Sequence, residues 1–501
     1  MLRRLARPSP LFWITTLGIY LAWSLMTLTL QGNLAYDHVE MLVWGRAWQW
    51  TYWKHPPLPA WVAEAVSMAT NRAIWPQFFL APATVAIAAW VVWRAAHDVV
   101  GPWRALVAAL SLQGCLYYSY ECDLLNHNSI QIPFIALLVW AGWRGIRGST
   151  WGWIAFGAAS AVAIYGKHSA GLVPVGIVLY SLWDRESRRL WCGRGPWLGL
   201  LTGCLVIAPH LYALWQIDFA PFKTAFLDHD AGFHEVVQTA PWWGRVVYPL
   251  DFLAFNALML SGIGVLMFLL FLIPGEPLIE PAPGRQATRA ALRYYAWATF
   301  FPVVVSVVVS AVLSFHMNAL WAMAWFPFVG LVVLLAIDRP IGWSGLRTMW
   351  GAWCAFALGV LVFVGVKLTA GPHLTGSVPN VKHDGETLAR LVGERWALAS
   401  GGAPLTIVIG THWTGGNVCV YHQEHPELLL DGIPERAPWF DLARIQREGA
   451  ALVWEGTAPP KWLDAFGAHT RIERVDIKPR TSADIPTRPY SMSFILPAAK
   501  R

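Results

Sequence analysis

The chain has 501 residues, 56% of them hydrophobic and 13% charged, with 32 Trp and a formal net charge of +7. Many apolar stretches reach the roughly 20 residues that span a bilayer as helix, which excludes a string of soluble domains and reads as a polytopic membrane protein. The positive balance is not a nucleic-acid signal, because much of it is arginine in short loops. The six cysteines show no paired metal-type spacing, and Cys115, Cys204 and Cys354 lie in apolar segments, where a thiol is a small core group.

In chain order the apolar runs predict helices at 11–31, 77–95, 103–119, 130–147, 151–166, 170–184, 196–215, 250–273, 294–314, 318–337 and 346–369, about eleven transmembrane segments. The first lacks a convincing small-residue cleavage site and reads as an uncleaved helix. The fold class expected is mainly α, with outer-face amphipathic helices and a small C-terminal α/β extramembrane domain. The boundary falls near Gly371, giving a membrane domain over 1–371 and an α/β domain over 372–501. In the latter, 405–410, 451–456 and 493–498 look like strands, and 384–399 and 439–448 look like helices. The Gly pair in IGTHWTGGNVCVY (409–421) reads as a turn, being neither a Walker-type nor a dinucleotide fingerprint.

Arginines sort between the two sets of loops. Arg3, Arg94, Arg144, Arg147, Arg194 and Arg285 are among the many on one side, while the other carries a few cations such as Arg46, Lys54, Arg72 and Lys167. The positive-inside rule then puts the N-terminus in the cytoplasm and, with an odd helix count, the C-terminal domain outside. The loops at 32–76, 120–129, 165–169 and 216–249 share the outer side and hold nearly every unusual ionisable residue. Sorting of this kind points to a composite active site at the outer membrane surface.

Within these loops the segment Tyr36–Trp61 is the most informative, since it puts Asp37, His38, Glu40, Arg46, Lys54 and His55 directly after the first helix. Charges beside a bilayer are expensive and are usually paired, wet or functional. Asp37 suits a general base if the bilayer edge raises its pKa; the plainer reading is a helix cap. Lys54 and His55 precede Pro56 and Pro57, which stiffen the backbone and fix the side chains, so that the cation suits a lipid phosphate. Snorkelling of Lys54 is the plainer alternative. Lys167 and His168 lie between two apolar helices, where an ammonium needs a partner: a phosphate, Asp37, Glu121 or Asp123. Glu121, Asp123, Asn126, His127 and Asn128 form a second outer loop whose carboxylate and imidazole groups are compatible with a divalent cation, although the spacing matches no metal motif. Asp228, His229, Asp230, His234 and Glu235 read as solvated loop charge.

These motifs resemble those of the GT-C superfamily of membrane glycosyltransferases, in particular the bacterial protein O-mannosyltransferase and aminoarabinose (lipid A) transferase relatives. Members often open the first outer loop with an Asp-Glu pair, followed some eighteen residues on by His-Pro-Pro or Lys-Pro-Pro. Asp37 matches the first acid and His55-Pro56-Pro57 the later motif, and NHNSIQIPF and YGKHSAG look like the next two outer-face motifs. The likeness carries specific motifs over roughly the first 170 residues and topology alone beyond them. There are two departures: His38 stands where the family has Glu, and Asn126-His127-Asn128 where it often has a second Asp.

The resemblance implies transfer of a sugar from a polyprenyl-phosphate donor to an envelope lipid, glycan or protein acceptor on the periplasmic face of the bacterial inner membrane. Asp37 would be the base, and Glu40, Lys54, His55, Asp123, His127, Lys167 and His168 the substrate-binding groups. No cofactor is required, a divalent cation is compatible, and the partners are the two substrates and membrane lipids, with no nucleic acid. A transporter or lipid flippase is the alternative from another class; it would leave its substrate covalently unchanged.

Overall fold

The computed structural model describes residues 8–121, 123–227, 241–278, 285–337 and 339–498. In chain order the principal helices are α1 (Pro8–Leu30), α2 (Tyr36–Gly45), α3 (Leu58–Ala69), α4 (Leu80–His97), α5 (Pro102–Gln113), α6 (Ile132–Ile146), α7 (Thr150–Gly166), α8 (Leu172–Trp183), α9 (Arg194–Gln216), α10 (Gly244–Leu272), α11 (Arg285–Leu313), α12 (Val329–Ile337) and α13 (Trp343–Thr369). There follow α14 (Gly385–Ser400), β1 (Ile407–Gly410), α15 (Thr414–Tyr421), β2 (Glu427–Leu430), β3 (Ala450–Glu455), β4 (Glu473–Ile477) and β5 (Arg488–Ile495).

Among the described residues six helices are long and apolar enough to cross a membrane: α1, the stretch Trp75–His97 that contains α4, α9, α10, α11 and α13. The pair Ala319–Trp325 and α12 makes a seventh if counted as one crossing, despite a 63° bend. The other apolar runs also fold as helix, but α5, α6, α7 and α8 have only 12, 15, 17 and 12 residues. Local chemistry sets these lengths. Pro102 and Pro133 start α5 and α6 in the first turn, where a missing N–H costs nothing. Ser149 caps α7 by accepting from the Gly152 N–H at 3.0 Å, and Asp184 ends α8 in extended backbone.

The chain divides into two compact units, one of residues 1–24, 54–58 and 79–362, the other of 25–53, 59–78 and 363–501. In the first, small residues bring helix backbones together, as in membrane bundles generally. A Cβ at Gly157 of α7 would strike the Gly199 carbonyl of α9, and one at Gly199 would lie 2.5 Å from the Trp153 carbonyl. Gly114 and Gly262 make the same kind of approach before α10.

The second unit is built on a mixed sheet of order β2-β1-β3-β5-β4, with β2, β1 and β3 parallel and β5 antiparallel to β3 and β4. Strand alternation gives it two apolar faces. Val408, Ala451, Val453, Tyr490, Met492 and Phe494 pack with Leu388, Val392 and Trp396 of α14. Ile407, Ile409, Leu452 and Trp454 point the other way, onto Phe440, Ile445 and Leu463. Two strands, β2 and β4, were not anticipated from sequence; the 409–421 segment is a helix from Thr414 and not merely a turn, and the 439–448 run is helical only over Ala443–Glu448.

Helices α2 and α3 belong to this unit. A Cβ on Gly45 would meet the Ala60 carbonyl, and one on Gly416 would lie 2.9 Å from Val39, so α2 is seated closely against both α3 and α15. Seven of the ten α2 residues are buried, including His38 and Glu40. His38 Nε2–H donates to Gln77 Oε1 at 2.8 Å, while Gln77 Nε2 donates to the Ala63 carbonyl at 3.0 Å. Burial lowers the His38 pKa to about 4 against the Gln77 hydrogen bond.

Two measurements follow from this packing. Gly199→Leu should lose the monodisperse size-exclusion peak in detergent, because backbone carbonyls cannot yield and overpacking costs about 1–3 kcal/mol. Gly264→Ala, with nothing within 4 Å, should keep it. For His38, the unfolded chain binds the proton more readily between about pH 6.5 and about pH 4, so stability is lost as pH falls through that window. The melting temperature of His38→Gln, whose amide keeps a donor towards Gln77 without titrating, should fall less steeply there than that of the wild type.

Candidate active site

The first compact unit gathers basic groups from three separate loops. Asn126 Oδ1 accepts from the backbone N–H of Asn128 at 2.8 Å and of Ser129 at 3.0 Å, and Ser129 Oγ accepts from Asn126 N–H at 2.9 Å. This side-chain-closed turn is the local reason why Asn and Ser occur there. It presents His127, which is 5% exposed, donates to the Pro56 carbonyl and lies with its ring centroid 3.9 Å from that of His55. The buried Pro56-Pro57 pair thus positions both imidazoles, one covalently and one through its carbonyl.

Lys167 follows the last residue of α7 in extended backbone and turns its side chain back. Its Nζ donates to Asn128 Oδ1 at 2.6 Å and lies 4.9 Å from the centre of the Trp321 ring. The amide oxygen and the indole face are neutral groups that help to hold the ammonium in place. His168 Nε2 is 3.1 Å from His210 Nε2 on α9, and its ring stacks on Phe222.

Burial is the first cause of the pKa values of His55 and His127 lying well below the usual histidine range. For His55 the charges of His127, Lys54 and Lys167 add to it, and for His127 those of Lys167 and Lys54. Both imidazoles are therefore neutral at pH 7, in a field made positive by the two lysines. Two orphaned polar groups adjoin them: Ser169 Oγ and both amide atoms of the fully buried Gln131, whose Cβ packs near Gly166. Lys54, His55, His127, Lys167 and His168 thus form one basic cluster, with Asp123 half-buried four residues before His127.

Asp37 and Glu40 lie in the second unit. Asp37 stands in the first turn of α2, half-exposed, and the cap itself is Ala35, which makes no side-chain bond. The helix N-terminus favours its negative charge. Glu40, 1% exposed, has Oε1 3.2 Å from Nδ1 of His412, a residue just after β1 that is 7% exposed and lies edge-on to Trp44. Tyr36 stacks on Trp413, and its hydroxyl is pushed up to about 12, first by burial and then by the charges of Glu40 and Asp37.

Asp228, His229, Asp230, His234 and Glu235 lie outside the described residues. Among the described residues no group of three or more His, Cys, Asp and Glu side chains is arranged to hold a metal ion. Sequence reasoning missed His210, Trp321, Gln77 and His412. A lone histidine in an apolar helix, next to Pro209, was the available signal for the first; the others carry no local signature.

Comparison with known proteins places this geometry. Residues 54–213 match the family model described as dolichyl-phosphate-mannose-protein mannosyltransferase. The fold is similar to that of ArnT from Cupriavidus metallidurans bound to undecaprenyl phosphate, at 14% identity over 97% of each chain with a TM-score of 0.52. It is likewise similar to the same protein in the apo state, at 15% identity over 97% of each chain with a TM-score of 0.50. No curated protein matches the chain. The matched segment begins at the Lys54-His55-Pro56-Pro57 run and contains His127 and Lys167, so the stretch that builds the basic cluster is the stretch that carries the family pattern. In sequence over residues 54–213, and in fold over nearly its whole length, the chain resembles the GT-C membrane glycosyltransferases.

Proposed function

We propose that this protein transfers a sugar, hexose or pentose, from a polyprenyl-phosphate donor to an envelope lipid, glycan or protein acceptor at the periplasmic face of the inner membrane. The observation that carries the reading is the convergence of Lys54, His55, His127, Lys167 and His168 from three loops into one cluster. A basic cluster of this kind suits a phosphate, and the ArnT relative was solved with undecaprenyl phosphate. The arginine asymmetry supports an inside N-terminus and an outside C-terminal unit. The reading takes the shorter apolar helices as crossings too, for about eleven in all.

In the reaction the acceptor oxygen attacks the anomeric carbon, the bond from that carbon to the phosphate oxygen breaks, and the lipid phosphate leaves with the electron pair. Asp37 takes the acceptor proton. Lys167, with Lys54, stabilises the charge that grows on the leaving phosphate. The neutral imidazole of His55 can offer an N–H to that phosphate or to the sugar hydroxyls, while His127, whose N–H is given to the Pro56 carbonyl, can offer its other ring nitrogen as an acceptor. Direct displacement inverts the anomeric centre. Asp123 is a substrate-binding group, and Glu40, buried against His412, acts by positioning α2. No cofactor is required by this chemistry, and a divalent cation is compatible with it.

Sugar transfer by purified protein in nanodiscs, from radiolabelled lipid-phosphate sugars to an envelope lipid extract, tests the assignment. Asp37→Asn should lower the rate by roughly 100-fold or more, in line with general-base catalysis. Lys167→Met should cost about 100-fold or more, in line with the loss of a charge-stabilising donor. Full activity in Asp37→Asn would remove the base assignment and leave the transferase intact, whereas wild-type protein that moves the lipid-linked sugar without changing it covalently would establish transport instead. Nuclear magnetic resonance of the product should give the anomeric configuration opposite to the donor's; retention would rule out a single displacement. Chelation with EDTA should leave the rate unchanged.

A further inference from the structure

At the other ends of the same helices lies an open cavity of about 370 Å3, lined by Asp98, Trp143, Arg144, Arg147 and Ser149. Its construction is local. Asp98 caps the C-terminus of α4, Arg144 is in the last turn of α6, Arg147 is its C-cap, and Ser149 is the N-cap of α7. The guanidinium carbon of Arg144 sits 5.8 Å from the Trp140 ring centre, and that of Arg147 5.8 Å from the Trp143 ring centre. The Asp98 carboxylate accepts from Trp140 Nε1 at 2.8 Å. The acid is thereby held by an indole, and among the described residues neither arginine is in an ion pair with it.

Two guanidiniums laid on aromatic faces are held in place at low entropic cost with their charge uncompensated. The N-terminus of α7 opens towards the same space and adds its positive end. Exposed Trp151, Trp183 and Trp197 mark this end as headgroup level. We infer that the cavity between the ends of α4, α6 and α7 binds the phosphate of an anionic glycerophospholipid, the two arginines clamping the phosphate and Trp143 lining the cavity beside it. Basic pockets between membrane helices take such headgroups in general. A soluble phosphate shares the chemistry but lacks the acyl chains that would keep it at this depth.

The test uses full-length protein reconstituted in mixed phosphatidylglycerol and phosphatidylcholine nanodiscs, then extracted gently and examined by native mass spectrometry for retained lipid. Wild type should retain phosphatidylglycerol over phosphatidylcholine, and the double variant Arg144→Gln/Arg147→Gln should lose that preference by roughly tenfold or more, since each surface cation contributes. Arg94→Gln, an exposed arginine of the same end that does not line the cavity, should keep it. Equal loss in Arg94→Gln would assign the preference to diffuse charge and overturn the site. Unchanged retention in the double variant, with its size-exclusion profile intact, would also overturn it. Displacement of the lipid by inorganic phosphate alone would make it a soluble-anion site and sink the lipid assignment. None of these outcomes depends on sugar transfer, so the inference stands or falls apart from the proposed reaction.

Discussion

Positive charge held beside hydrocarbon is the constraint on which the membrane unit depends. Lys167 sits where the bilayer would penalise an ammonium, and the groups seen around it are an amide oxygen and an indole face. The imidazoles around it avoid the same penalty by staying neutral, because burial and the two lysines together disfavour their protonation. The arrangement is costly in itself and is relieved by an anion. In the proposed reaction this is the sense in which the cluster suits a phosphate: part of the desolvation has been met in folding.

The second unit handles an acid in the opposite manner. Of the ionisable residues on α2, His38 is locked neutral against Gln77, and Glu40 is buried against His412. Asp37, in the first turn of the helix, remains half-exposed. The two buried neighbours fix the rotation of α2, and Gly45 and Gly416 let it seat closely enough for that rotation to be defined. A general base needs a defined direction as much as a suitable pKa. The departure from the family pattern at His38 is explained by this packing: the residue serves the seat of the helix, and Asp37 is the base only in the proposed reaction.

Much of this was legible in the sequence because hydrophobic length and turn chemistry are local properties. Apolar runs gave the helices, and Pro56-Pro57, the Asn126–Ser129 turn and the Gly166 break located the three loops that meet. The finer lengths were not legible, since α5 to α8 stop short of a span through caps and prolines that hydropathy averages over. Strand β2 is a short run of three leucines after Glu427 with no alternation to mark it as a strand, and β4 is polar, alternating half-buried with exposed positions at a sheet edge, so it makes no apolar run. Partners such as His210, Trp321 and His412 lie far from the residues they touch along the chain, and only folding decides those pairings.

One helix connects the two cation sets of the membrane unit. Ser149 and the arginine cavity lie at the start of α7, and Lys167 follows its last residue. Seventeen helical residues rise roughly 25 Å, close to the thickness of the hydrocarbon core. On the proposed reading the two sets lie at opposite headgroup levels, with α7 as a short helix carrying polar anchors at both ends. Their chemistries differ in keeping with their roles. Arginine stays charged under any physiological condition and suits a resident lipid that is not consumed. On the proposed reading, a lysine beside neutral imidazoles suits the negative charge that builds on a departing phosphate.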